Sequence, residues 1–240
     1  MLAAQAQSEI IGDNVANVRT PGYKRNKQVP KPFQLNFERL VSSGNGATEV
    51  TPLGTIGTGV IANRVSKINI QGVLQTTDKS TDLALSTPGF FVVQTPEGDR
   101  YTRNGQFQLN ANGVLQTLDG NAVLGKNGPI GMSKPLSQQF KVTSDGTVVD
   151  DGQVIDHLRF VDIPDAALER QGQSLYSTTQ APQAGVNVQV RQGAFEASNV
   201  DLAGQMVQMI TVMRAYEANQ KVMQTQDATL EKAVNEVGKI

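Results

Sequence analysis

The spacing of apolar residues at the two ends constrains this 240-residue chain more than anything between them. Near the C-terminus Leu202, Met206, Met209, Met213, Tyr216, Met223, Leu230, Val234 and Val237 recur at alternating steps of four and three, once Gln220 and Asp227 are counted in the two polar places. That is the heptad seam of a long helix with one apolar stripe. Met1, Ala4, Ser8, Ile11, Val15 and Val18 follow the same spacing near the N-terminus, weakened by small and polar members. This second helix stops at Thr20-Pro21-Gly22-Tyr23, where proline followed by glycine signals a type II turn at the surface. At about 1.5 Å per residue, a helix over 199–237 would be roughly 58 Å long and one over 1–18 roughly 27 Å, so the short helix cannot cover the long seam. An amphipathic stripe must be buried against something. Two readings follow: a hairpin of helices packed on the chain's own body, or terminal helices that pair as a coiled coil and also meet other subunits.

Between the helices the signal is of another kind. Residues 26–66 mix proline, glycine, serine and short apolar groups and read as an extended connector with one short helix at Phe33–Leu40. From Val65 onward short β-type runs are punctuated by Glu97-Gly98, Asn104-Gly105, Asn112-Gly113, Asp119-Gly120, Asn127-Gly128, Asp145-Gly146 and Asp151-Gly152. Asn-Gly and Asp-Gly pairs favour tight hairpins, so an antiparallel β domain is expected over 67–190. Gly72-Val73-Leu74-Gln75-Thr76-Thr77-Asp78 is nearly repeated as Gly113-Val114-Leu115-Gln116-Thr117-Leu118-Asp119, which reads as two equivalent hairpin strands. The fold class is therefore α+β: an antiparallel β-rich domain inserted between N- and C-terminal helices that pair as a coiled coil. The expected domains are 1–25 with 191–240 (helical), 26–66 (connector) and 67–190 (β-rich).

Composition narrows the function classes. A net charge of -1 argues against nucleic acid, which selects strongly basic faces. Arg19, Lys24, Arg25, Lys27 and Lys31 do cluster after the first helix and read as a solvated linker, with an acidic partner surface as the other reading. No run approaches a membrane span, and residues 1–8 lack the basic and apolar parts of a cleavable signal peptide. His157 beside Asp156, with Asp150 and Asp151 near, lacks further histidine or cysteine ligands and the spacing of a calcium loop, so these are read as strand or turn residues. Gly54, Gly57 and Gly59 do not have the spacing of a phosphate cradle. There is no cysteine nucleophile and no Gly-x-Ser-x-Gly elbow, so no enzyme activity, cofactor or metal is expected. Met206, Met209, Met213 and Met223 fit the heptad core better than a soft binding face.

Three separated motifs carry a resemblance. The run from Ile10 to Arg25, with Asn14, Ala16, Asn17, Thr20, Gly22 and Tyr23, closely resembles the N-terminal signature of the bacterial flagellar basal-body rod and hook protein family. Ser198-Asn199-Val200-Asp201, followed by Met209-Ile210 and Arg214-Ala215-Tyr216-Glu217-Ala218-Asn219, looks like its C-terminal signature. Pro88-Gly89-Phe90-Phe91-Val92-Val93 and Tyr101-Thr102-Arg103-Asn104-Gly105-Gln106-Phe107 are similar to the distal and proximal rod members in particular, while 26–66 and 120–190 match only loosely. Asp13 stands where the family usually has asparagine, and Gln205 where an acidic residue is common. Family members normally carry a further turn or more of helix ahead of the position of Met1.

The resemblance implies a structural subunit of the flagellar rod, exported without a cleaved signal peptide to an extracytoplasmic place in the basal body. It would polymerise through its terminal helices into a hollow tube with the β domain outside. Its partners would be itself and other flagellar axial proteins, with a rod-surrounding ring or peptidoglycan as further contacts. The interface residues are then the seam members Ile11, Val15, Val18, Leu202, Met206, Met209, Met213, Tyr216, Met223 and Leu230. A hook subunit, a secreted module that binds peptidoglycan or a rod-associated ring, and a cell-wall hydrolase are the alternatives; the last lacks a catalytic constellation.

Overall fold

Helices bracket the chain in the computed structural model, which describes residues 2–42, 48–132, 140–172, 174–184 and 188–237. Helix α1 is Leu2–Ala16 and helix α2 is Leu202–Val237, with Met1 of the expected seam outside the described residues. The first helix stops short of Val18 because Asn17 begins a turn: Thr20 N donates to Asn17 O at 3.1 Å. The chain divides into two compact units, one of Met1–Val15, Asn26–Ser66 and Leu202–Ile240, the other of Ala16–Arg25 and Lys67–Asp201.

The first unit also holds a two-stranded sheet of β1 (Asn26–Ser42) and β2 (Thr48–Lys67). The expected short helix at Phe33–Leu40 is strand instead. Phe33, Leu35 and Phe37 alternate with Gln34, Asn36 and Glu38 at the period of a strand, and Pro30 and Pro32 hold the residues before them extended.

The second unit is the β-rich part, and its strand pairs, among the described residues, are antiparallel. The strand Phe90–Thr95 organises it, pairing with Gly98–Thr102, Ala122–Val123 and Phe160–Asp162. Its four apolar residues are buried on both faces of the sheet, which is why the sequence shows an unbroken apolar run instead of alternation. Phe91 and Val93 enter a core with Leu83, Phe107, Leu115 and Phe160. Phe90 and Val92 enter another with Tyr101, Val161, Leu168 and Tyr176. Edge-to-face rings fix both layers, Phe91 on Phe107 at 5.1 Å and Phe90 on Tyr176 at 5.6 Å.

Two sequence expectations change here. The near-repeats are not equivalent: Leu115–Thr117 forms a hairpin with Phe107–Leu109, whereas Leu74–Thr76 pairs with the distant Ala194–Glu196. Leu115 is buried in the core while Leu74 is only half-buried, so near-identical heptapeptides serve two environments. Of the expected turn glycines, Gly98, Gly113, Gly120, Gly128, Gly146 and Gly152 have positive φ but Gly105 does not. Gly105 is instead a place of close backbone approach: its carbonyl accepts from Leu83 N at 2.9 Å, and a Cβ there would lie 1.6 Å from Leu83 O.

Candidate functional site

In the first unit α1 lies antiparallel along the first half of α2, since contacts move down one helix as they move up the other. Asn14 Nδ2 donates to Gln205 Oε1 at 2.9 Å and Ser8 Oγ to Met209 Sδ at 3.3 Å. Nearer the start of α1, Ala4, Gln5 and Ser8 line an open groove of ≈ 270 Å³ with Val212, Met213, Tyr216 and Glu217. The stripe of α2 turned to α1 is thus Gln205, Met209, Val212 and Tyr216, at heptad steps of four, three and four. Gln205 and Val212 are buried; Met209 and Tyr216 are half-buried. On α1, Ile11 and Asn14 are buried, and Ala4, Ser8 and Val15 half-buried.

The apolar pattern located the helices and two members of the contacting stripe, Met209 and Tyr216. Leu202, Met206 and Met213 sit one step round the helix and are exposed. The heptad spacing leaves out Gln205 and Val212, and Gln205 enters the sequence reading only as a departure from the family pattern. Val212 lies in the run Met209-Ile210-Thr211-Val212-Met213, whose four apolar members fit several registers, and Gln205 carries no hydrophobic signal.

Beyond Tyr216 the same face of α2 continues at heptad steps through Met223 and Leu230. Met223 is 51%, Leu230 63% and Val234 71% exposed. From Met223 to Val234 these apolar residues of the stripe are exposed over about three turns. Arg214 and Glu217, from the same motif as Tyr216, are exposed as well.

Asn14 explains why an amide stands in an apolar stripe. It is 1% exposed, and its side chain meets Asn26 in both directions: Nδ2 donates to Asn26 O at 2.8 Å and Oδ1 accepts from Asn26 N at 2.9 Å. Its second N–H is the one that reaches Gln205, itself 3% exposed, whose Nε2 passes on to Gln208 Oε1 at 3.1 Å. Ala16, which follows, is exposed.

In the second unit the motif residues build a polar clamp. The turn at Thr20–Tyr23 closes through Tyr23 N to Thr20 O at 3.2 Å, with Gly22 at φ +69 as a type II turn requires. Thr20 Oγ1 also bonds Asn17 Oδ1 at 3.1 Å, and Val18 is half-buried. The turn is not on the surface as expected: Gly22 and Tyr23 are buried, and Gly22 N donates to Glu196 O at 2.7 Å. Arg170 covers the Tyr23 ring at 4.3 Å. Asn199 ties the outgoing and returning backbone together, accepting from Arg25 N at 2.7 Å and donating to Ile68 O and Ile70 O at 2.8 and 2.9 Å. Ser198 Oγ accepts from Val200 N at 3.3 Å just ahead of α2.

Three buried charges lie under the clamp. Lys24 Nζ is 2.5 Å from Glu196 Oε1 and donates to Ile70 O at 2.9 Å, while Gly72 N donates to the same carboxylate oxygen at 2.8 Å. Arg103 Nη1 lies 3.6 Å from Glu196 Oε2, a charge contact without a hydrogen bond. Burial pulls the Lys24 ammonium below the usual lysine range, opposed by the Glu196 charge, and burial likewise lowers Arg103. Lys24 therefore leaves the basic cluster read as a solvated linker. Arg19 and Lys27 are exposed and Arg25 half-buried, while the side chain of Lys31 lies outside the described residues.

The Asp156 carboxylate accepts from Asn127 N and Nδ2, both at 3.0 Å, and His157 Nδ1 meets Thr147 Oγ1 at 2.9 Å, so both serve turn and strand geometry. No helix among the described residues is long and apolar enough to cross a membrane.

Comparison with known proteins places these features in a family. Residues 1–24 match the family described as flagella basal body rod protein, 84–167 the flagellar hook protein FlgE/F/G D1 domain, and 191–236 the flagellar basal body rod FlgEFG protein C-terminal domain. The chain is 34% identical to the flagellar hook-basal body complex protein FlhO of Bacillus subtilis, over 100% of its own length and 96% of the relative. It is 36% identical to the flagellar basal-body rod protein FlgG of Buchnera aphidicola subsp. Schizaphis graminum, over 96% of its length and 94% of the relative. A flagellar basal-body rod protein FlgF from Caulobacter vibrioides is 30% identical over 100% and 95%.

Proposed function

This chain belongs to the flagellar basal-body rod protein family and is a structural subunit of the flagellum, and from that premise we propose that it polymerises through its terminal helices into a hollow tube. The observation that supports this is the open stripe Met223, Leu230, Val234 on α2, the continuation of the face that α1 covers lower down. Helices of neighbouring copies, or of other flagellar axial proteins, fill it as a coiled coil. Each buried leucine or methionine contributes roughly 1.5–3 kcal/mol, so a few such residues repeated around a tube suffice for a stable polymer.

Leu202, Met206 and Met213 offer a second contact line on the flank of the same helix, so one α2 can meet two neighbours. In this reading Ile11 and Val15 are support residues that hold the subunit's own helix pair, and Val18 belongs to the turn that follows α1. The parts 1–25 and 191–240 form the assembling layer, 26–66 connect it, and 67–190 remain for an outer shell and for contacts with a surrounding ring or peptidoglycan. The role is mechanical, with no reaction catalysed. The subunit acts outside the cytoplasm, reached by export without cleavage of a signal peptide.

Electron microscopy of the purified chain tests this. Tubes or filaments are expected; a monodisperse monomer at high concentration, alone and with a second axial protein, refutes it.

A further inference from the structure

We propose that the buried amide pair Asn14 and Gln205 is a register key that holds α1 at one position along α2. The apolar contacts of this pair of helices are poor at fixing a register. Ala4 and Ser8 are small, and α2 offers Met209, Val212, Met213, Tyr216 and Met223 at spacings that repeat every seven residues, so α1 displaced by one heptad away from the start of α2 still meets an apolar stripe. Asn14 does not tolerate the displacement. It is buried, and its side chain is spoken for on two sides, by the backbone of Asn26 and by Gln205 Oε1.

Sliding α1 by seven residues in one direction would set Asn14 against Val212 and leave its second amide proton buried with no acceptor. An unsatisfied buried amide is costly where an apolar pair of the same shape is nearly neutral, so the pair contributes discrimination between registers more than stability. One heptad is about 10.5 Å of helix. The register therefore decides which length of α2 these residues of α1 cover. Its consequence for polymer regularity rests on the assembly reading above; the key itself does not.

The chain has no cysteine, so paired cysteines report on register without background. Ser8→Cys with Met209→Cys marks the register of the structure, and Ser8→Cys with Tyr216→Cys marks a slip of one heptad away from the start of α2. In dilute full-length monomer under mild oxidation, the first pair is expected to close and the second to lag by on the order of tenfold or more. Adding Asn14→Leu and Gln205→Leu together is expected to bring both pairs to comparable yields with helix content by circular dichroism retained. Gln205→Glu with Asn14 intact, which keeps an acceptor for Asn14, is expected to keep the single pattern.

Closure at Met209 alone in the double-leucine background overturns the key. Should that background lose its helix signal, Gln205→Met with Asn14 intact decides: a rise in slipped products supports the key, and an unchanged pattern overturns it. Irregular polymers from the unregistered variant support the consequence for assembly. Regular ones refute that consequence, separately from the crosslinking result.

Discussion

Gly22→Ala adds one methyl group at the closing turn of α1, and its cost can be worked out from the surroundings. At φ +69 an L-residue is disfavoured by about 1–2 kcal/mol. The new Cβ would lie 2.5 Å from Arg103 C and from Asn104 N and 2.7 Å from Arg103 O. Carbon contacts settle near 3.5–4.0 Å, so backbone must move by about 1 Å, and no rotamer change can relieve it. Overpacking of this kind costs about 1–3 kcal/mol. Alanine also restricts the unfolded chain, which returns about 0.4–1 kcal/mol. The net is a destabilisation of roughly 1–4.6 kcal/mol, a large share of the 5–15 kcal/mol typical of a domain. Sequence reasoning placed this turn at the surface and expected only local damage; because Gly22 packs within the β-rich unit, the loss should appear in the unfolding of that unit. Urea titration followed by circular dichroism should show the midpoint falling by about 1–2 M, with Gly22→Val falling further. A shift worth less than about 0.5 kcal/mol in the alanine variant would show that the Arg103–Asn104 backbone yields freely, and the packing argument would fail.

Met213→Lys should leave folding within about 0.5 kcal/mol of the parent, since Met213 is exposed in the subunit, yet abolish polymers by placing a charge in an apolar contact; normal tubes by electron microscopy would contradict this. Glu196→Gln leaves Lys24 and Arg103 buried without their counter-charge and should destabilise the β-rich unit by about 3–5 kcal/mol, measured by denaturant unfolding. Burial pushes the Tyr176 phenol up to about 12. Because the folded value lies above the unfolded one of about 10, this contribution of roughly 2–3 kcal/mol is complete below pH 10 and is lost as pH rises toward 12; ultraviolet titration of Tyr176→Phe against the parent isolates it.

The helices were legible because their period extends over many turns, and the β-rich middle because turn pairs such as Asp151-Gly152 speak through local backbone preference. What escaped was either ambiguous in period or non-local. Phe33–Leu40 contains Glu38, Arg39 and Leu40, which suit a helix, and the alternation of Phe33, Leu35 and Phe37 was the weaker-looking signal that prevailed. The two near-identical heptapeptides diverge because their partners, 107–109 for one and 194–196 for the other, lie at different distances along the chain. Lys24 and Glu196 are 172 positions apart, and neither residue's neighbours in sequence mark it as buried. The motif residues Gly22, Asn14 and Asn199 were found through resemblance, but their work was not: each bonds or abuts backbone that only the folded chain brings near.

The clamp has a mechanical consequence. Leu74–Thr76 pairs antiparallel with Ala194–Glu196, and Leu74 stands opposite Glu196. Tension applied through the chain at residues 67 and 201 pulls on that same end of the pair, so the strands would peel open one rung after another instead of resisting in shear. The side chains of Asn199 and Glu196 lie at the loaded end, holding Ile68, Ile70 and Gly72 before the first rung is reached. Under torque the first bonds to yield would be these polar ones, which re-form readily when the load is released, and the sheet behind them would be spared.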